Sequence, residues 1–381
     1  MAPKTGVSHE RERRMTTTEN LQEKERIILE LRALYRRYGY GGYKMSRFEE
    51  YDLYVRNKDF LSSDRMIVFT DLDGTLMALK PDVTISIIKN TSAEPGTVKK
   101  VYYDENVFRA DAKAGSFKEI MQTGLECIGD IDRYQLCEVL RLAAGSLQAI
   151  NGDYMLDISH LGLVSGALLA AGVQAERYGE ALALIRDKNR AGLLQFCRAG
   201  GYDDTLLPQL VATYGDANEV LAKLRGLCRN GEMQTAFDEL QGICTVLAQG
   251  GLAGRVQIDF SVVNDMNYYN GIIFQGFING IPTAVLRGGQ YDRLMAKMGR
   301  AGSGAVGFAV YLDELELHTG AERADVDVLL LYRPGDDVAK LDRAVRALTA
   351  QGKTVSAQRV KPAKLRCNSV LRLEDWRGED E

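Results

Sequence analysis

The chemistry-bearing residues of this chain concentrate between Tyr103 and Glu126, where YDENVFRADAKAGSFKEIMQTGLE reads as two antiparallel strands joined by a small-residue loop around Lys113–Ser116. Side chains alternate between the two faces of a strand. Arg109 and Asp111 therefore share one face of the first strand. On the second, Lys118, Gln122 and Glu126 share a face, and Phe117, Met121 and Leu125 share the other. The greasy side is suited to packing on helices. The polar side lines up charges and amides at two-residue steps, which is either the floor of a pocket for a polar ligand or a half-exposed hairpin.

A second stretch carries two acids. VFTDLDGTL (68–76) resembles the nucleophile motif of haloacid-dehalogenase-type phosphatases, in which Asp71 would attack phosphorus, Asp73 would serve as acid and base, and both would hold magnesium. The competing reading is a β-hairpin whose turn is Asp71–Gly74. The residues just downstream favour the hairpin. Met77–Leu79 reads as a second strand, running through Lys80-Pro81-Asp82-Val83-Thr84 into an apolar helix with Ile85, Ile87 and Ile88. A phosphatase also needs a downstream lysine and an acidic metal-binding pair, for which Gly335-Asp336-Asp337 is the only candidate.

The elements that must position these residues are legible from pattern. Residues 1–18 are polar and charged and are expected to be disordered. A helix from Glu19 places Leu21, Ile27, Ile28, Leu31, Leu34, Tyr35 and Tyr38 on one face and ends at Gly39, Gly41 and Gly42. A helix over 133–149 precedes a strand at Tyr154–His160. Residues 165–253 read as a helical insertion with core stripes at Leu221, Leu224, Leu227 and Cys228, and at Phe237, Leu240, Ile243, Cys244 and Leu247. Strands are expected at Arg255–Val263, Ile272–Phe277, Thr283–Leu286 and Ala305–Tyr311. A two-residue Asn279-Gly280 turn follows Ile272–Phe277, the glycines of Arg287-Gly288-Gly289-Gln290-Tyr291-Asp292 let the backbone come close to whatever lies above, and a glycine-rich loop, Gly299–Gly304, leads into Ala305–Tyr311. A helix starts near Asp313. Residues 325–372 look like a truncated α/β remnant, and 373–381 like an acidic tail.

Composition narrows the function classes. With 45% hydrophobic and 26% charged residues the chain is ordinary for a globular protein. A net charge of −4 offers no basic field for nucleic acid. The six cysteines lack CxxC spacing and only three histidines occur, so neither a disulfide framework nor a metal site is indicated, and no cofactor is expected. No apolar run reaches membrane-spanning length and no signal-peptide pattern is present, which points to a cytoplasmic protein.

Several motifs, in order, resemble one family. FRADAKAGSFKEIMQTGLE resembles the second signature motif of class II aminoacyl-tRNA synthetases in its histidyl form. LKPDVT resembles that enzyme's proline–acid–x–threonine loop, and NDMNYYNG its histidine-specific segment. GGQYDRL and GFAVYLDEL match the glycine–tyrosine–aspartate element and the third motif. The resemblance covers residues 19–320. It implies an α+β fold, a six- or seven-stranded antiparallel β-sheet flanked by helices, with the ligand on the sheet and a self-dimer through the first motif.

The departures matter more than the matches. Arg109 is kept, but the arginine expected after Gly115 is Ser116, the third-motif arginine is Glu314, the carboxylate-binding arginine aligns with Asn264, and Gln290 replaces another. Putting an acid where a phosphate-binding cation is expected turns attraction into repulsion of about 4 kcal/mol per charge pair at 4 Å and an effective dielectric near 20. The resemblance therefore implies lost ATP chemistry and no tRNA partner. The amino-acid pocket is better kept. Asp82 and Thr84 can receive an ammonium, with Gln122 beside them. Glu126 and Tyr269 can each hold a ring nitrogen of an imidazole, and Tyr268 and Arg109 complete the histidine-binding set. A synthetase that keeps amino-acid recognition and loses nucleotide chemistry resembles the regulatory subunit of short-form ATP phosphoribosyltransferase, the first enzyme of histidine biosynthesis. That family's subunit has no catalytic centre, assembles with the catalytic subunit into a hetero-oligomer, is needed for activity, and transmits feedback inhibition by histidine. An amino-acid-activating synthetase, the phosphatase, and a sensor with another partner are the alternatives.

Overall fold

The computed structural model describes residues 23–61, 65–111, 115–263, 268–316 and 324–377. The chain divides into two compact units, one within residues 22–318 and one formed by the C-terminal residues from 319 on.

The larger unit is built on a nine-stranded sheet. Its strands in chain order are β1 (Gly41–Gly42), β5 (Val98–Asp111), β6 (Ser116–Gly129), β7 (Tyr154–His160), β8 (Gly215–Asp216), β9 (Val256–Ile258), β10 (Ile272–Ile278), β11 (Leu286–Gln290) and β12 (Gly304–Tyr311). A separate small antiparallel sheet holds β2 (Phe48–Glu50), β3 (Val68–Thr70) and β4 (Leu76–Leu79), in the order β2-β4-β3. The main order is β1-β5-β6-β12-β11-β10-β7-β9-β8. The six longer strands from β5 to β7 are antiparallel to their neighbours, whereas β1 joins β5 and β9 joins β7 in parallel. The two expected strands around residue 113 are thus real, and they lie at one side of a larger sheet.

Helices cover one face. The Glu23–Arg37 helix buries Ile27, Leu31 and Tyr35, spaced four apart, and the Tyr35 hydroxyl meets Ser146 Oγ at 3.0 Å on the Arg133–Ile150 helix. Asp132 and Gln135 cap that second helix reciprocally, each side chain taking a backbone N–H of the other. The helical stretch between β7 and β9 packs into the same core. Phe237, Leu240, Ile243, Cys244 and Leu247 are all buried there; of the other stripe, Leu221 and Leu224 are buried, while Leu227 and Cys228 lie at its margin.

Two strand expectations and one helix end need correction. The strand that starts at Val256 stops at Ile258, because the Asp259 carboxylate accepts the Ser261 N–H at 2.9 Å and turns the chain. The strand placed at Thr283–Leu286 is instead Leu286–Gln290, so Asn279-Gly280 is not a two-residue hairpin turn and the Gly288-Gly289 stretch, expected to let the backbone approach closely, is itself strand. Its glycines reflect close packing. A Cβ on Gly289 would lie 2.6 Å from the Tyr269 ring, and one on Gly288 would collide with the Gly307 carbonyl. Gly41 and Gly42, read as helix terminators, pair with β5, and the left-handed residue after the helix is Gly39 at φ 82°.

VFTDLDGTL is the hairpin β3–β4. Asp71 Oδ1 accepts the Leu72 N–H at 2.7 Å and Asp73 Oδ1 accepts the Thr75 N–H at 2.9 Å, on an exposed turn. Both acids are occupied in shaping the turn, so the phosphatase reading fails on geometry. Among the described residues no cluster of acids, histidines or cysteines is arranged to hold a metal ion, and no helix is long and apolar enough to cross a membrane.

The C-terminal unit has a parallel three-stranded sheet, β14 (Val355–Gln358), β13 (Val326–Leu331) and β15 (Cys367–Arg372), with β13 central. One helix, Val338–Ala350, packs on it, capped by Asp337. Its core is Leu330, Ala344 and Leu373. Leu373, expected to open an acidic tail, is buried in a short 3-10 turn.

Candidate functional site

The register between β5 and β6 sets the floor. Arg109 faces Lys118, Glu105 faces Gln122, and Val101 faces Glu126, so odd positions of β5 and even positions of β6 share the face opposite the helices. Continuing across the sheet, Glu126 faces Gly307 on β12, and Ala309 faces Arg287 on β11. This open face holds a cavity of about 180 Å³. All seven residues singled out from the sequence, Asp82, Thr84, Arg109, Gln122, Glu126, Tyr268 and Tyr269, line it.

The Val83–Asn90 helix supplies the first wall. Its burial is apolar (Val83, Ile85, Ile87, Ile88), and Asp82 caps it by accepting the Ile85 N–H at 3.0 Å. The cap places Asp82 3.5 Å from the Arg109 guanidinium and points Thr84 at the floor. Thr84 Oγ1 donates to Glu126 Oε1 at 2.8 Å. The Tyr291 hydroxyl donates to the other oxygen of the same carboxyl.

Glu126 is thus buried, held by two neutral donors, and paired with no cation among the described residues. Burial pushes its carboxyl up to about 8; the hydrogen bonds from Tyr291 and Thr84 pull it down, and Asp82 adds to the rise. Asp82 is raised as well, by burial first, against the lowering pull of Arg109. Glu126 is therefore a carboxyl that a cation in the cavity would ionise, whereas Asp82 already has a cation in Arg109. Gln122 contributes a buried Nε2 donor with no partner among the described residues. A buried donor left unmatched calls for an acceptor from a ligand or water.

Aromatic rings form the second wall. Tyr268 and Tyr269 have centroids 4.6 Å apart, and Tyr268 stacks against Tyr291 and the edge of Phe60 at 5.8 and 5.9 Å. Glycine makes room on the floor. A Cβ on Gly307 would overlap the Glu126 carboxylate, and one on Gly124 would meet the Tyr103 hydroxyl.

Tyr103, Arg287, Tyr291 and Tyr311 also line the cavity and were not assigned from the sequence. Signals for them existed. Arg287 and Tyr291 flank the Gly288-Gly289 pair, Tyr311 ends the GFAVY strand, and Tyr103 shares the odd face of β5 with Arg109.

The end of the cavity where the resemblance places a nucleotide is closed by internal pairs. Arg109 donates Nε–H to the Pro81 carbonyl at 2.8 Å, pairs with Asp82, and shares a hydrogen bond with Tyr311. Lys118 is tied to Asp111 at 2.5 Å. Glu314 accepts from Thr283 at 2.7 Å, and Gln290 donates to Asp292 at 2.7 Å. Ser116 is exposed at the start of β6. Asn264 lies outside the described residues. A triphosphate would meet an arginine already engaged and an added acid.

Comparison with known proteins identifies the fold and the family. The family model described as histidyl-tRNA synthetase matches residues 15–315. A curated relative from Oceanobacillus iheyensis, an ATP phosphoribosyltransferase regulatory subunit, is 26% identical over 371 residues, covering 95% of this chain and 91% of that protein. A crystal structure of an ATP phosphoribosyltransferase regulatory subunit/histidyl-tRNA synthetase from Bacillus halodurans superposes with a TM-score of 0.75 at 23% identity, covering 92% of this chain and 93% of that one. A chain of the ATP phosphoribosyl transferase (HisG:HisZ) complex from Thermotoga maritima gives a TM-score of 0.61 at 18% identity, covering 77% and 98%. The solved structures show a shared fold, and the family match spans the whole sheet and its pocket; the chain belongs to the histidyl-tRNA synthetase family.

Proposed function

We propose that this chain is a non-catalytic regulatory subunit of a short-form ATP phosphoribosyltransferase, required for the catalytic subunit's activity and binding histidine as a feedback effector. One observation carries the reading. The amino-acid end of the pocket is complete around Glu126, while Arg109 at the nucleotide end is occupied by Pro81, Asp82 and Tyr311. The names borne by the relatives support the partner. The chain acts in the cytoplasm, as a dimer of its own kind within the larger assembly, and does not handle tRNA. Histidine acts by coupling, binding one state of the assembly more tightly than the other.

Reconstitution tests this directly. Adding the chain to purified short-form catalytic subunit should raise phosphoribosyl transfer, and L-histidine should then inhibit the pair. Calorimetry of the chain with L-histidine should show saturable heat that Glu126→Ala abolishes. A chain that alone exchanges pyrophosphate into ATP when given histidine is a synthetase, and the proposal fails.

A further inference from the structure

Two guanidinium groups line the cavity, and they differ in what holds them. Arg109 is bound on three sides. Arg287 rises from the middle of β11, half-buried, with its guanidinium 5.0 Å from the centroid of the Tyr311 ring. Among the described residues it has no carboxylate or hydrogen-bond partner. Arginine stays charged at all accessible pH, so the pocket holds a cation that no described acid neutralises. A second, independent shortage lies nearby, since Gln122 Nε2 is a buried donor with no described group to receive it.

The acidic groups sit at the opposite side. Asp82, Thr84 and Glu126 come from the Val83–Asn90 helix cap and β6, whereas Arg287 comes from β11, two strands away. Two strand spacings are roughly 10 Å. The floor directly between them is the Gly307–Ala309 stretch of β12, whose side chains on this face are no larger than a methyl, with Tyr311 standing at the strand's end against Arg287. An acidic side, a bare floor and a basic side form a cradle for a zwitterion. A phosphate group is a poorer match, because one guanidinium faces it alone and Lys118 is already paired with Asp111.

We propose that Arg287 is the carboxylate anchor of the amino-acid ligand, with the ligand's ammonium and ring held across the floor by Asp82, Thr84 and Glu126. This assignment rests on the reading that the pocket takes histidine. It supplies the carboxylate cation that Asn264 cannot, from a different strand. The protonation state of Glu126 agrees with it. With Arg109 paired to Asp82 and the Glu126 carboxyl raised to about 8, Arg287 is the pocket's charge without a described counter-charge, which favours the arrival of an anion.

The test compares ligands with and without the carboxylate on the full chain. By calorimetry, wild-type protein should bind L-histidine about ten- to a hundredfold more tightly than histamine, the range expected for one charge-assisted pair. Arg287→Gln should bring that ratio near one by weakening histidine and leaving histamine within about twofold. Arg287→Lys should restore part of the ratio. Thermal unfolding checks that the variants fold; should Arg287→Gln not fold, a wild-type ratio of L-histidine to histamine near one still overturns the assignment. A ratio that survives in folded Arg287→Gln overturns it too while leaving histidine as the ligand. No heat with L-histidine and wild-type protein overturns the histidine reading, and this assignment with it.

Discussion

Two glutamates on the same face of the sheet, Glu105 on β5 and Glu126 on β6, have opposite surroundings. Glu105 takes the ammonium of Lys80 at 2.9 Å and the Met45 N–H at 3.3 Å. Lys80 is fully buried, and its backbone is fixed too, its N–H to the Arg47 carbonyl and its own carbonyl to the Phe108 N–H, each at 2.9 Å. Burial lowers the Lys80 ammonium, and Glu105 pulls it back. That circuit is closed: charge meets charge and nothing faces the cavity. Glu126, one strand away, meets only hydroxyls and retains a carboxyl shifted to about 8. Buried polar groups with every need met hold a fold together. Those left short of a charge or an acceptor inside a cavity can receive one from a ligand.

Breaking the closed circuit should cost most. Lys80→Met leaves Glu105 without its cation, and urea unfolding should report a loss of about 3–5 kcal/mol with the ligand pocket only indirectly disturbed. The reverse pattern belongs to Gly307→Ala. Its methyl would overlap the Glu126 carboxylate, so stability should fall by about 1–3 kcal/mol while histidine binding disappears in calorimetry.

Glu126 gives the comparison a pH signature. Its carboxyl ordinarily titrates at 4.5 and is raised to about 8 in the folded chain, so between these values the folded state keeps a proton that the unfolded state has released. Stability from this group is full below pH 4.5 and declines as pH rises, by about 1.4 kcal/mol per unit at most, until the folded group ionises. Urea midpoints at pH 6 and 7 should therefore differ more in wild-type protein than in Glu126→Gln, whose profile should be flatter. Equal slopes would mean that Glu126 is ionised throughout. Histidine binding in its ammonium form should release a proton in this range, and calorimetry in buffers of different ionisation heat would detect it.

The smallest effect is expected at the exposed acids. Asp71→Asn disturbs only a turn, and should change stability by no more than about 0.5 kcal/mol, with no effect on histidine binding. A loss of phosphate-ester hydrolysis in this variant would revive the phosphatase reading.

How far the site was legible depended on the kind of signal. The polar residues of β5 and β6 recur at two-residue steps, so Arg109, Gln122 and Glu126 could be placed on a shared floor by counting in twos, although from Gln122 on both faces of β6 are buried. Tyr154–His160 was readable to its ends for the same reason. β11 was not. Gly288 and Gly289 carry no alternation, and glycines that allow a close backbone approach, as these do, say nothing in sequence of whether the backbone there is strand. With the strand misplaced, Arg287 lost its face and Tyr291 its role, although both adjoin that glycine pair.

Local pattern determined the large sheet elements, the helical face that covers them, the hairpin turn at Asp71–Gly74 and the residue types at the amino-acid end of the pocket. Those features depend on periodicity and turn chemistry, which are written within a few residues of each other. Tertiary structure alone decided which charges are compensated. Arg109 and Arg287 are indistinguishable as letters; one lies beside Asp82, Pro81 and Tyr311, and the other, among the described residues, has only the face of a ring. Pairing is a property of distance across strands far apart in the chain, and it is pairing that separates a residue that holds the fold from one free to hold a ligand.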